Sequence, residues 1–162
     1  MAQVFPRYTN TLSRATALAV AGLLVAVLWL WGRIQRSPYT SDVRIAKEQP
    51  VPFSHEHHVS GLGLDCRYCH TSVETSAFAG IPPTATCMNC HKQIWNEAPM
   101  LEPVRESFKT GKPLSWVRVH DLPDFAYFDH SIHVDRGVGC ASCHGRVDRM
   151  PLTWQTAPLT MG

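Results

Sequence analysis

Residues 66–70 read CRYCH, residues 87–91 read CMNCH and residues 140–144 read CASCH, so one five-residue pattern occurs three times. These strings contain all six cysteines of the 162-residue chain. Cys-x-x-Cys-His is the attachment motif of c-type haem: two thiols bond to the porphyrin and the adjacent histidine is the proximal iron ligand. We therefore predict three covalently bound c-type haems. The attachment cysteines are Cys66, Cys69, Cys87, Cys90, Cys140 and Cys143, and the proximal histidines are His70, His91 and His144.

Two other chemistries use a Cys-x-x-Cys pair. Zinc sites normally combine two such pairs, and nothing in zinc ligation explains a histidine after every second cysteine. Thioredoxin-like redox pairs occur once, at a helix start within a βαβ unit, and the sequence lacks that context. The threefold recurrence favours haem over both.

Six of the nine histidines lie outside the motifs: His55, His57, His58, His120, His130 and His133. Three haems need at most three distal ligands, so the six histidines outside the motifs are three more than these haems can use. An iron with both axial positions filled by imidazole transfers electrons and leaves no open position for a substrate. The surplus therefore favours electron transfer over catalysis at a haem.

The string Phe-x-His-x-x-His occurs at 53–58 and again at 128–133, each time shortly before a haem motif. The spacing i, i+3 places both histidines on one helical face, where they could serve two neighbouring irons. His57 lies off this repeat, and we expect it to be a solvated side chain.

The repeat resembles small multihaem cytochromes of the c3 and c7 type, in which the first histidine of such a pair ligates the haem attached just downstream and the second reaches a different haem. The resemblance implies that His55 opposes His70 and that His130 opposes His144. His120 is then the candidate for the haem of His91, with a structural turn histidine as its alternative role. His58 and His133 remain for further or neighbouring haems, and His58 could replace His130 at the third haem.

Methionine ligation is another possibility for the distal positions. Met88 lies between the cysteines of its own motif and cannot reach the far face of that iron. We expect Met100 and Met150 to be packing residues.

An uncharged run from Ala15 to Gly32 lies between Arg14 and Arg33. Eighteen residues of helix reach about 27 Å, close to the thickness of a bilayer core. We predict a transmembrane helix at about 15–32 within an N-terminal segment 1–36, with a cleaved signal peptide as the alternative. Trp29 and Trp31 suit a membrane interface.

Basic residues on the two sides of this run do not decide its orientation. Because c-type haem is attached on the outer face of the bacterial inner membrane, we expect a cytoplasmic N-terminus and a single pass, with the haem domain on the periplasmic side. Residues 37–52 are polar, have prolines near both ends and are predicted to be a tether. The haem domain is predicted to span 53–162.

The charge balance excludes one class of partner. The net charge is +2, from scattered lysines and arginines without a dense basic stripe, so no nucleic-acid partner is expected. We predict a mostly α and irregular fold with little sheet, because haem rather than layered secondary structure would fill the core.

Three long strings resemble one family in particular: residues 51–91, residues 101–113 and residues 119–152. They are similar to the membrane-anchored pentahaem cytochrome c subunit of alternative complex III, a quinol:electron acceptor oxidoreductase. That family has five haem motifs and this sequence has three, so we expect a C-terminally incomplete chain and five haems in the full one. His58 and His133 would then be distal ligands of haems attached further along. A genuine three-haem version, with both histidines idle, is the alternative.

The resemblance implies a role in electron transport. The subunit would accept electrons from an iron–sulfur subunit or quinol site and pass them to a downstream cytochrome c, copper protein or oxidase. No catalytic site is expected in this chain alone. Two alternatives are an anchored multihaem quinol dehydrogenase that feeds a periplasmic reductase, and a catalytic multihaem reductase, which would need a five-coordinate haem.

Overall fold

The structure is a computed structural model that describes residues 4–159. The first three residues of the predicted N-terminal segment and the last three of the predicted haem domain lie outside this range. The described chain forms two compact units that meet at Asp42 and Val43.

The first unit is dominated by helix α1, Tyr8–Gln35. Its 28 residues include a strongly apolar window, and none of its side chains is buried. A helix of this length rises about 42 Å, more than the thickness of a bilayer core. The predicted N-terminal apolar helix is therefore confirmed as an element that could span a membrane. Helix α2, Pro38–Ser41, follows and begins with proline at its first position.

The second unit consists of short helices and irregular segments. Its α-helices are α3 (Cys66–Cys69), α4 (Thr84–His91), α5 (Glu102–Thr110), α6 (His130–Asp135) and α7 (Ala141–His144). A π-helical turn spans Glu56–Gly61, and 3₁₀ turns span Pro99–Leu101 and Val147–Arg149. In residues 4–159 the only extended pairings are two isolated bridges, Val43 with Gln155 and Ala46 with Trp154. The predicted mostly α and irregular fold is confirmed.

The apolar core of this unit is small. Val51, Leu101 and Val104 form its centre, and Cys87 and Trp116 are among the partly buried residues packed around them. The apolar face of α5 thus packs against α4, the helix that carries the second Cys-x-x-Cys-His motif. Side-chain burial among the described residues is modest for a unit of this length.

Residues 43–52 belong to the second unit and contact other parts of it. The side chain of Gln49 donates to the carbonyl of Val117 and accepts from its N–H, both at 2.9 Å. Val51 belongs to the core. The sequence predicts a tether at 37–52, and in the structure residues 43–52 of that segment are part of the second unit.

Candidate haem-binding site

Each Cys-x-x-Cys-His motif forms about one helical turn. In α3 the Asp65 carboxylate caps the turn by accepting from the N–H of Arg67 at 2.8 Å. In α7 the turn ends at His144, and Gly145 leaves it with a φ of +70°. Because side chains three apart on a helix are neighbours, both cysteines of a motif face the same side. None of the six cysteines forms a disulfide, so both thiols of each motif are available to one porphyrin.

Two proximal histidines are oriented by backbone carbonyl groups. The Nδ1 atom of His70 lies 2.7 Å from the carbonyl oxygen of Gly80, and that of His91 lies 3.1 Å from the carbonyl oxygen of Ile94. A carbonyl can only accept, so Nδ1 carries the proton and donates. This leaves the lone pair on Nε2, which is how metal-binding histidines are usually held.

Four histidines outside the motifs are held in the same way. Each has its Nδ1 atom within 2.8 Å of an oxygen that can accept. The pairs are His55 with Thr153 Oγ1, His58 with the Ser54 carbonyl, His130 with the Ala77 carbonyl and His133 with the Asp129 carbonyl. These four are the histidines of the Phe-x-His-x-x-His repeat. A carbonyl can only accept, so His58, His130 and His133 donate from Nδ1 and keep the lone pair on Nε2. The Thr153 hydroxyl can donate or accept, so this contact does not decide which nitrogen of His55 carries the proton.

The repeat is also a repeat in three dimensions. The Phe53 ring lies 4.8 Å from His55 at 86° and 4.4 Å from His58 at 25°. The corresponding Phe128 distances are 4.8 Å to His130 at 87° and 4.4 Å to His133 at 25°. The phenylalanine therefore fixes the angle between the two imidazoles in both copies.

Two histidine pairs have the separation that a shared metal ion needs. Nitrogens at about 2 Å on either side of one metal put the imidazole centroids about 6 Å apart. The centroids of His58 and His91 are 6.1 Å apart. Those of His130 and His144 are 6.2 Å apart, with ring planes 11° from parallel. Each pair combines a proximal histidine with a histidine of the repeat.

His70 is one of the neighbours that lower the pKa of His55. Burial, followed by the charge of His70, lowers the pKa of His55 to about 4. Burial, then His120 and His130, likewise lower the pKa of His144 to about 4. Both rings are thus held neutral at pH 7, the form in which imidazole binds a metal.

The structure brings His120 to the third motif. Its ring lies 4.3 Å from that of His144, at 80°. Its Nε2 atom is buried without a hydrogen-bond partner in the described chain, and burial lowers its pKa. The centroids of His120 and His144 are too close for an iron between the two rings. The ring near His91, for which His120 was the candidate partner, is that of His58.

His57 differs from the repeat histidines. Its side chain is exposed and stacks on Trp95, with centroids 6.0 Å apart and planes 10° apart. Its imidazole nitrogens make no hydrogen bond among the described residues. Met150 is buried in the core, at 3% exposure, and Met100 is half exposed.

The residues present fit a covalently bound haem better than a bare metal ion. Among residues 4–159, no three His, Cys, Asp or Glu side chains gather as ligands of one ion. Each motif instead offers two thiols and one oriented imidazole. Large apolar side chains that follow the first two motifs, Phe78, Ile81, Ile94 and Trp95, are exposed and suit the face of an apolar macrocycle.

Comparison with known proteins agrees with this arrangement. The chain is similar to a multihaem cytochrome c. The relative is the multihaem cytochrome c subunit of menaquinone reductase from Nitratidesulfovibrio vulgaris, 37% identical over 125 residues. The aligned region is 76% of this chain and 56% of the relative, so the chain spans little more than half of that protein's length. No protein-family model matches the chain. The similarity supports covalently bound c-type haems in this chain; it does not identify alternative complex III.

Sequence reasoning did not pair His58 with His91. It placed His58 at the third haem or at a haem further along, because spacing alone does not tell which neighbouring haem a second histidine reaches. No sequence pattern predicts which oxygen atoms accept hydrogen bonds from the Nδ1 atoms. The carbonyls of Gly80 and Ala77 become acceptors only through the path of the loop after the first motif.

Proposed function

We propose that this protein is an electron-transfer subunit, a multihaem c-type cytochrome within a quinone-linked membrane complex. The observation that carries the proposal is two pairs of opposed imidazoles, His58 with His91 and His130 with His144, whose ring centroids lie 6.1 and 6.2 Å apart. Such a site binds haem iron on both axial sides, and a bis-imidazole iron has no open position for a substrate. When bound, the haem supplies one-electron chemistry, and the chain supplies ligands and orientation.

The proposed axial pairs follow the contacts. His58 is paired with His91, and His130 with His144, on the basis of their centroid separations. His55 is paired with His70, supported by its position in the repeat and by the electrostatic influence of His70. In this scheme His120 is a packing neighbour of His144, and His133 is left for a further haem.

The proposed placement in the cell is the bacterial inner membrane. Helix α1 would be the single span, with a cytoplasmic N-terminus and the second unit on the periplasmic side. Length and hydropathy support the span. Extracytoplasmic haem attachment supports the orientation.

Two complexes are candidates for the host. The long strings at 51–91, 101–113 and 119–152 favour alternative complex III. There the subunit would carry electrons from an iron–sulfur or quinol-oxidising partner to a downstream cytochrome c, copper protein or oxidase, and the full chain would hold five haems. The menaquinone reductase relative favours a complex that delivers electrons to menaquinone. These candidates differ in the direction of electron flow.

Two alanine variants test the ligand scheme, and both are made in the holoprotein. His58→Ala is expected to convert one haem from low spin to high spin, read from the electron paramagnetic resonance and visible spectra. His120→Ala is expected to leave every haem low spin. If His120→Ala creates the high-spin haem and His58→Ala does not, His120 is the second haem's ligand and the proposed pairing is wrong.

A purified complex tests the function itself. Quinol added to the oxidised complex is expected to reduce the haems of this subunit in alternative complex III. In a menaquinone-reducing complex, haems reduced by a cytochrome donor are instead expected to be reoxidised by a menaquinone analogue. If neither exchange occurs, the quinone-linked role is excluded.

A further inference from the structure

We propose that the first motif, Cys66–His70, is the central attachment site, with the second motif on one side and the third on the other. Electrons exchanged between the second and third sites would then pass through the first. This spatial order, 2–1–3, differs from the order along the chain. The inference rests on the proposed haem assignment and goes beyond it by giving the electron route.

Direct contacts join the first motif to the second. Tyr68 and Asn89 occupy the variable positions inside the two motifs, and the Asn89 Nδ2 atom donates to the Tyr68 hydroxyl at 3.1 Å. His58, from the segment just before the first motif, lies opposite His91. The two attachment turns are therefore neighbours.

A separate set of contacts joins the first motif to the third. The Ala77 carbonyl, in the loop after the first motif, accepts from the His130 N–H at 3.3 Å and from its Nδ1 atom at 2.8 Å. His130 is the histidine that faces His144.

No hydrogen bond or ring contact among residues 4–159 joins the second motif directly to the third. The second motif instead packs on α5 through its own helix. The first motif thus contacts the other two sites through different residues. Tyr68 contacts the second motif, whereas the loop to Ala77 contacts His130, just before the third.

The electron balance of this route is simple. With haem bound at each motif, the sites held by His91, His70 and His144 would be one-electron centres, and an electron given up at one outer site would be taken up at the central site and then at the other outer site. No covalent bond or proton moves within the chain. A quinol or quinone and a one-electron metalloprotein partner exchange the electrons at the two ends. Because electron tunnelling weakens steeply with distance, the central site would dominate exchange between the outer ones.

An experimental structure of the haem-loaded complex tests the order directly. The iron held by His70 is expected to lie nearer to the irons of His91 and His144 than those two lie to each other. A shorter distance between the irons of His91 and His144 would overturn the inference while leaving the haem assignment intact. Absence of haem on the motifs would overturn the proposed function instead.

Redox titration of a ligand variant gives a second test. His55→Met is expected to raise the potential of the central haem, since methionine ligation raises the potential relative to histidine. The central haem is then reduced first, and the added electron makes reduction of its two neighbouring haems less favourable. Both outer haems are therefore expected to titrate at lower potential. The matched variant His130→Met is expected to shift the first haem more than the second. An equal or larger shift of the second would contradict the proposed order.

His55→Met remains informative if the protein loses the central haem. With the central haem absent, the two outer haems are expected to titrate as independent one-electron centres, without mutual shift when His130→Met is added. A retained mutual shift would show that the outer sites are direct neighbours and would overturn the inference.

Discussion

Gly80 is expected to tolerate no side chain, because three features of the structure meet there. Its φ is +81°, its carbonyl accepts from the Nδ1 atom of His70 at 2.7 Å, and a Cβ at this position would lie 2.7 Å from Ser72 Oγ. Gly80→Ala therefore adds backbone strain and a steric clash beside a proximal ligand.

The cost can be worked out by parts. An L-residue in the left-handed region costs about 1–2 kcal/mol. To relieve the clash, Ser72 must move and lose its 2.8 Å hydrogen bond to the Phe78 carbonyl, which costs about 1 kcal/mol. The total is about 2–3 kcal/mol, or a fall in Tm of about 10 °C for a unit of this size.

Gly111→Ala is the matched control. Gly111 has a φ of +71°, and a Cβ added there would have no other atom within 4 Å, so this variant isolates the backbone strain. We expect it to cost about 1–2 kcal/mol. Ser72→Ala combined with Gly80→Ala removes the clashing hydroxyl, so the double variant is expected to be about 1 kcal/mol more stable than additive costs predict.

Thermal unfolding of the haem-loaded protein, followed in the Soret band, gives the Tm of each variant. The four variants are Gly80→Ala, Gly111→Ala, Ser72→Ala and the double variant of Ser72 and Gly80. Redox titration tests the hydrogen bond between His70 and the Gly80 carbonyl. Weakening this bond makes the His70 imidazole less basic, so one haem potential is expected to rise in Gly80→Ala and not in Gly111→Ala. Equal Tm losses in the two glycine variants, or strict additivity with Ser72→Ala, would refute the reasoning.

Three further predictions concern Asp129, His57 and Tyr68. Asp129→Ala is expected to lower the Tm by removing the cap that accepts from Ser131, whereas Asp129→Asn should retain it. The Ser131 hydrogen bond lowers the pKa of Asp129 below 3.8. The higher stability of wild type relative to Asp129→Ala should therefore persist at pH 3.8 and disappear only in stronger acid. A stability difference that is unchanged at pH 2 would contradict this. His57→Ala is expected to leave the haem spectra unchanged, and a lost or high-spin haem would show that His57 is a ligand. Tyr68→Phe removes the exposed hydrogen bond to Asn89 and is expected to change the free energy of unfolding by less than about 1 kcal/mol while altering the mutual redox shift of the first and second haems; an unchanged shift would show that this contact does not position them.

Much of the fold followed from local patterns. The uncharged run before Arg33 predicted α1, and the cysteine spacing predicted the attachment turns, because both depend on residues adjacent in the chain. The repeat at 53–58 and 128–133 predicted equivalent histidine pairs, and the two copies share the same ring geometry.

Long-range pairing could not be predicted in the same way. The contact between His58 and His91 spans the whole first motif, and the position of His120 beside His144 depends on how the loop before α6 folds back. The bridges of Val43 and Ala46 to residues 154–155 also join opposite ends of the second unit. Spacing along the chain fixes none of these distances.

The central claim is that all three motifs carry covalent haem. It is tested most directly by proteolysis of the protein purified from native membranes, followed by mass measurement of the peptides that contain the motifs. Peptides with Cys66 and Cys69, with Cys87 and Cys90, and with Cys140 and Cys143 are each expected to carry the mass of one haem. Peptides recovered with free or disulfide-bonded cysteines and without haem would contradict the account.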